Sequence, residues 1–193
     1  MEAKLFSALS ASVVKQGDIE RMHIVSDKVT ITFPQPDGGV FLAVDSFELS
    51  PAKARLYVYM LLNKSVNNNL SLCSFMPYDL DMLVDQVKEV TGWNVSNWEL
   101  LKAAERTINM ARAFNAREGF SAADDVLPDR FFEPLQGGPL QGKQLDRAQF
   151  LETRAVTYDM LGWDRQTAAP KRWKLYELGL DWVVEDLEKH GLF

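Results

Sequence analysis

Apolar residues along this 193-residue chain fall into two textures. Over residues 51–193 they recur three and four positions apart, the spacing that lines one face of a helix. Over residues 1–50 a helix-like start gives way to alternation. Leu5, Phe6, Leu9 and Val13 share a helical face that Gly17 can end. His23–Phe33 then alternates through Ile24, Val29, Ile31 and Phe33, and Val40–Val44 repeats the habit. Between these runs stand Pro34, Pro36, Asp37, Gly38 and Gly39, which is turn chemistry. The pattern predicts a hairpin, read as a surface ribbon with a structural role.

The helical half carries its own punctuation. Ser50-Pro51 is an N-cap followed by proline at a position that needs no N–H, and predicts a helix to about Lys64. Asp79 can cap a helix over 80–90 with Leu80, Leu83, Val84 and Val87 on one face and Gly92 just past its end. Ser96 and Glu99 form a capping box that opens the longest helix, to about Glu118. Leu101, Ala104, Ile108, Ala111 and Phe114 are its expected buried stripe, and Gly119 its stop. Asp146 opens a helix ending near Gly162, Pro170 a short one ending at Gly179, and Asp181 the last. Residues 124–145 are rich in proline and glycine yet carry Phe131, Phe132, Leu135 and Leu140. Such a crossing is expected to pack as an ordered loop. The fold class expected is mainly α, an irregular helical bundle with a small N-terminal β hairpin, divided into residues 1–50 and a helical domain over 51–193.

Composition narrows the function. Hydrophobic residues make up 47% and charged residues 25%, as in a globular protein. The net charge is −6 with no basic cluster, which argues against a nucleic-acid partner. No segment reaches the about 18 apolar residues of a membrane span, so no membrane partner is expected. The start, MEAKLFSALSASVVKQG, lacks the basic, continuously apolar form of a signal peptide. A cytoplasmic location is the expectation. Cys73 is the one cysteine, so no internal disulfide is possible, and with only His23 and His190 beside it a complete structural zinc site within this chain is not expected.

No phosphate-binding glycine loop, dinucleotide fingerprint or nucleophile elbow occurs. Asp124-Asp125 could be paired acid–base carboxylates, but Ser121-Ala-Ala-Asp124 reads better as a helix cap. Arg106, Arg112, Arg117 and Arg130 are expected in buried ion pairs that lock loops to helices, and Glu99, Glu105, Asn115 and Glu118 in the same structural role. Trp93, Trp98, Trp163, Trp173 and Trp182 are expected as core and helix-end packing. Cys73 lies in VNNNLSLCSFMPYDL. Leu70, Leu72 and Phe75 around it suggest a buried thiol acting as a small hydrophobe.

A resemblance adds to this reading. NNLSLCSF, TGWNVSNWELLKAAERTINMARAFNAREGF, DDVLPDRFFEPLQGGPLQGKQLD, YDMLGWD and KLYELGLDWV, in that order, resemble the C-terminal part of the aldehyde ferredoxin oxidoreductase family over about residues 51–184. The resemblance implies a tungsten or molybdenum bis-pterin and a 4Fe–4S cluster. It places a motif D-x-x-G-L-C here, whose aspartate contacts the pterin and whose cysteine is the last of the cluster's cysteine ligands. Carried over, Asn68 stands at the aspartate position, Ser71 at the glycine, Leu72 at the leucine and Cys73 at the cysteine. Asn68 can still accept a hydrogen bond from a pterin amino group. Ser71 crowds a backbone that glycine leaves open. One thiolate cannot hold a cluster, so no cofactor is expected in the isolated chain. The N-terminal portion of the same enzyme, carrying the other cluster cysteines, is the implied partner, with ferredoxin as electron acceptor. Without that portion the 67–77 loop and Cys73 are expected at an exposed, uncovered interface, open to self-association or to plugging by residues 1–50. The implied reaction is oxidation of an aldehyde to a carboxylic acid. The alternatives are a fragment of an aromatic acyl-CoA ring-reducing relative and a non-catalytic helical scaffold.

Overall fold

The computed structural model describes residues 47–193 except Ser74 and Pro77, together with the backbone of three short strands. These are β1 (Arg21–Val25), β2 (Lys28–Thr32) and β3 (Val44–Asp45), antiparallel in that order with Ile24 opposite Val29 and Val29 opposite Val44. The helix expected over Leu5–Val13 and the hairpin turn expected at Pro34–Gly39 lie outside the described residues.

The described part of the chain is mainly helical, with six α-helices. They are α1 (Pro51–Asn69), α2 (Leu80–Thr91), α3 (Asn97–Arg117), α4 (Arg147–Leu161), α5 (Arg172–Glu177) and α6 (Asp181–Lys189). Their ends follow the punctuation. Ser50 accepts from the Lys53 amide at 3.3 Å, Asp79 from Met82 at 2.8 Å and Asp146 from Gln149 at 2.8 Å. Glu99 reaches back to the Ser96 amide at 2.8 Å, completing the capping box. Helix α1 runs a turn beyond the expected Lys64, because the polar Asn67–Asn69 stretch continues the helix before its end at Leu70.

α3 is the spine. α1 packs on α3 and α4, α2 on α3, and α6 on both α3 and α5. Among the described residues, three apolar clusters lie along it. Val66, Leu83 and Ala104 join α1, α2 and α3 at one end. Val58, Tyr158, Leu161, Trp163 and Ala168 fill the middle. Ala113, Leu175, Leu180, Val184 and Leu187 close the other end.

The inward face of α3 differs from the expected stripe. Ala104 is buried and Leu101 and Ile108 are partly so, but Ala111 is exposed and Phe114 faces solvent under the Arg117 guanidinium. Asn109, Arg112, Ala113 and Ala116 take the inward phase instead. Two of these are polar, and each finds a buried partner far along the chain. Of the five tryptophans only Trp163 is buried in the core, while Trp93, Trp98, Trp173 and Trp182 stand at helix ends and are more than half exposed.

The 124–145 crossing is ordered as expected. It holds a short 3₁₀ turn, Asp129–Phe132, and closes on itself through the Leu135 amide on the Lys143 carbonyl and the Leu145 amide on the Phe131 carbonyl, both 3.0 Å. Phe132 meets Phe150 of α4 edge-on at 5.8 Å. Leu135 and Leu140 remain exposed.

Candidate functional site

The candidate site is the turn that leaves α1. The Leu70 amide donates to the Val66 carbonyl at 3.1 Å, Ser71 to Asn68 at 3.0 Å and Leu72 to Asn67 at 2.9 Å, which curls the chain back over the helix end. Ser71 adopts φ 55°, a left-handed conformation that a side chain disfavours and glycine takes freely. Leu70, Leu72 and Tyr78 then pack inward with Val66, Leu83 and Ala104. Between them the chain turns outward: the Met76 amide donates to the Cys73 carbonyl at 3.2 Å.

The four motif positions separate by direction. Asn68, Ser71 and Cys73 are exposed, and Leu72 is half-buried. The reading of Cys73 from its apolar neighbours as a buried small hydrophobe is therefore corrected, while the exposure expected from the resemblance is found. Leu70 and Leu72 do turn into the core, but Phe75 points to solvent and leaves the thiol open. Beneath this surface the Asn67 Oδ1 is buried with no hydrogen-bond partner among the described residues.

A second constellation lies in the middle of the molecule and is structural. Arg112 of α3 donates Nε to the Ala168 carbonyl at 2.7 Å, and its Nη2 stands 2.9 Å from Asp125 Oδ2. Its guanidinium lies 5.1 Å from the Trp163 ring centre. Tyr158 donates its hydroxyl to the same Asp125 carboxylate. Burial first, and then that hydrogen bond, push the Tyr158 hydroxyl well above the ordinary phenol range. Arg154 donates to the Ala122 and Asp125 carbonyls at 2.6 and 2.7 Å. Trp163 Nε1 donates to Asn109 Oδ1 at 2.9 Å. Ala168 itself has φ 57°, held on both sides: its amide donates to the Asp164 carbonyl at 2.8 Å and its carbonyl takes Arg112. Asp164 caps this loop, and hydrogen bonds from the Thr167 and Gln166 amides hold its carboxyl below the ordinary range.

Asp124 and Asp125 thus have separate tasks. Asp124 accepts from the Ser121 amide at 2.8 Å, but it closes a turn rather than the expected helix. Asp125 faces inward to Arg112 and Tyr158, with no free carboxylate left for acid–base work beside its neighbour. Of the four arginines singled out, Arg112 is buried, Arg117 is half-buried between Glu118 and Asp186, and Arg106 and Arg130 are exposed. Glu105, expected in a structural role, sits in a cluster whose lysines the sequence reading missed: Lys174 is 7% exposed and pairs with Glu105 and Glu177, which Lys102 also bridges at 2.7 and 2.6 Å. The hydrogen bond from Lys102 leads the causes that hold Glu177 below the ordinary carboxylate range. For the residues of these clusters that α3 carries, the signal was their phase. Glu105, Asn109, Arg112 and Ala116 follow each other at spacings of three and four on one helix.

Among the described residues no group of three or more histidine, cysteine or acidic side chains could hold a metal ion, and no helix is long and apolar enough to cross a membrane. A sequence profile described as "Aldehyde ferredoxin oxidoreductase, domains 2 & 3" matches residues 17–180. The chain belongs to the aldehyde ferredoxin oxidoreductase family. The match reaches upstream of residue 51, where the resemblance was expected to begin. Within this family it is 30% identical over 141 residues to a tungsten-containing aldehyde ferredoxin oxidoreductase of Pyrococcus furiosus, covering 71% of this chain and 23% of that protein. The corresponding protein of Pyrococcus horikoshii is 30% identical over 142 residues, covering 72% and 23%. The chain therefore spans about a quarter of the length of these relatives. The fold also resembles a solved active-site complex of benzoyl coenzyme A reductase with 1,5-dienoyl-CoA. There the TM-score is 0.61 and the identity 22%, over 72% of this chain and 21% of that one.

Proposed function

We propose that this chain is the C-terminal part of a cytoplasmic tungsten- or molybdenum-pterin oxidoreductase that converts aldehydes to carboxylic acids and passes electrons to ferredoxin. Family membership carries the reaction class, and the outward turn at Cys73 carries the site. The donor set fits a shared cofactor and not a resident one. Cys73 is the only cysteine, and an iron–sulfur cluster is held by several thiolates. An exposed thiol on a turn backed by the core is suited to completing a cluster whose other ligands come from elsewhere. When bound, the metal–pterin would supply the two-electron chemistry and the cluster a path for those electrons. Cys73 would supply one thiolate, Asn68 a hydrogen-bonding amide at the pterin edge, and the Ser71-Leu72 backbone the close approach between them. The left-handed Ser71 supports that assignment, because φ 55° is a conformation that glycine, the residue of the motif at this position, takes freely. The cytoplasm suits a free thiol that must stay reduced.

The likeness to benzoyl coenzyme A reductase favours a second reading on the same scaffold, in which the substrate is an aromatic acyl-CoA rather than an aldehyde. Anaerobic co-expression with the remaining portion of the protein, followed by iron, tungsten and molybdenum analysis, tests the site. Wild-type complex is expected to hold iron that Cys73→Ser lowers. Equal iron in the two would overturn it. Turnover of an aldehyde against an aromatic acyl-CoA then separates the two substrates.

A further inference from the structure

The turn that carries Cys73 presents more than a thiol. Phe75 is 84% exposed and Met76 49%. From behind, Leu70, Leu72 and Tyr78 are sunk among Val66, Leu83 and Ala104, so the outward pair stands on an apolar base. Single exposed hydrophobic side chains need no explanation, but two large ones on one anchored turn make a contact patch.

We infer that Phe75 and Met76 are docking anchors that seat in an apolar recess of the remaining portion of the protein and thereby hold Cys73 at a shared cluster. The inference rests on the reading above for the identity of that partner. Two observations select this occupant. The chain spans about a quarter of its relatives, so about three quarters of such a protein lies outside it. Phe75 and Met76 stand two and three positions from Cys73 on the same exposed turn, whose ends meet through the Met76 amide on the Cys73 carbonyl, so a segment that reaches the thiol comes up beside them. A second copy of this chain would add only one more thiol, which leaves a four-cysteine site incomplete. Aromatic and methionine side chains are also the residue types that interface cores favour.

The test uses this chain with the remaining portion of the protein, co-expressed anaerobically, in wild-type, Phe75→Ser/Met76→Ser and Cys73→Ser forms. The double variant is expected to leave the melting temperature of the free chain unchanged and to weaken association at least tenfold. Cys73→Ser is expected to associate within about threefold of wild type while losing iron. Phe75→Ala alone serves if the double change unsettles the free chain. Association of the anchor variant within twofold of wild type would overturn the inference, whatever the iron content. So would a dimer of this chain that depends on Phe75 and Met76 and that the partner fails to displace. A wild-type complex that lacks iron but still loses its association on Phe75→Ser/Met76→Ser would leave the docking intact and remove the cluster reading.

Discussion

Arg112 joins three segments that are distant in sequence. Its guanidinium bonds the Ala168 carbonyl, faces Asp125 and lies over Trp163. Removing it would leave the inward Asp125 carboxylate without its cation and the left-handed Ala168 without one of its two hydrogen bonds. Arg112→Ala should cost about 2–3 kcal/mol, below the usual loss for a fully buried pair because Asp125 keeps some contact with water. Urea denaturation of the two proteins checks this. Tyr158 gives a pH signature at the same place. Its folded-state pKa is raised, so the unfolded chain loses the phenolic proton first, above about pH 10. Stability from this group is therefore complete below that pH and falls as pH rises toward the folded value. Denaturation midpoints from pH 8 to 11 should decline less steeply in Tyr158→Phe than in wild type, with Arg112, Arg154 and Asp125 unchanged around the site. At Ser71 the sign reverses. Ser71→Gly relieves a left-handed residue and should raise stability by about 0.5–1 kcal/mol, as read from the thermal midpoint.

The helix ends were legible in the sequence because caps are local chemistry. Ser50-Pro51, Asp79, Ser96 with Glu99, and Asp146 each act on backbone groups within three residues. The buried face of α3 was not legible for the opposite reason. Arg112 reaches Ala168, 56 residues on, and Trp163 reaches Asn109 across 54. A hydrophobicity pattern cannot credit polar residues whose burial depends on such distant partners, so it assigned Ala111 and Phe114 to the core instead. Gly162 shows how one element end can join both kinds of information. Its φ of 75° was implied by its place after α4, but its second constraint was not. A β-carbon there would stand 2.6 Å from Lys174 Cγ and 2.8 Å from its Cβ, the stem of the lysine that pairs with Glu105 and Glu177. The stem cannot move without pulling α5 from that ion cluster. Gly162→Ala should therefore destabilise by about 2–3 kcal/mol, combining left-handed strain with overpacking. Comparison of the thermal midpoints of Gly162→Ala and wild type checks this.

At the scale of the whole molecule, the core is closed around α3 while the turn at Cys73 is left open, and this divides what the chain can do alone from what it can do in company. The helical class was readable from spacing and caps. The exposure of Cys73 was not readable from its neighbours, only from the family resemblance, because the apolar residues around it point both ways: Leu70, Leu72 and Tyr78 inward, Phe75 and Met76 outward. Local composition gives no direction to a turn whose register is set by the end of α1 and by the conformation of Ser71. A folded chain with a single exposed thiol has a reactive group but too few ligands to retain a cluster. Purified alone without oxygen, it should be colourless, hold no stoichiometric iron, and react with a thiol reagent under native conditions at a rate comparable to the urea-unfolded chain. Addition of the remaining portion of the protein should slow that labelling. A native monomer that protects Cys73 strongly, or one that retains a full cluster by itself, would place the thiol elsewhere than on an open surface and would remove the basis for a shared site.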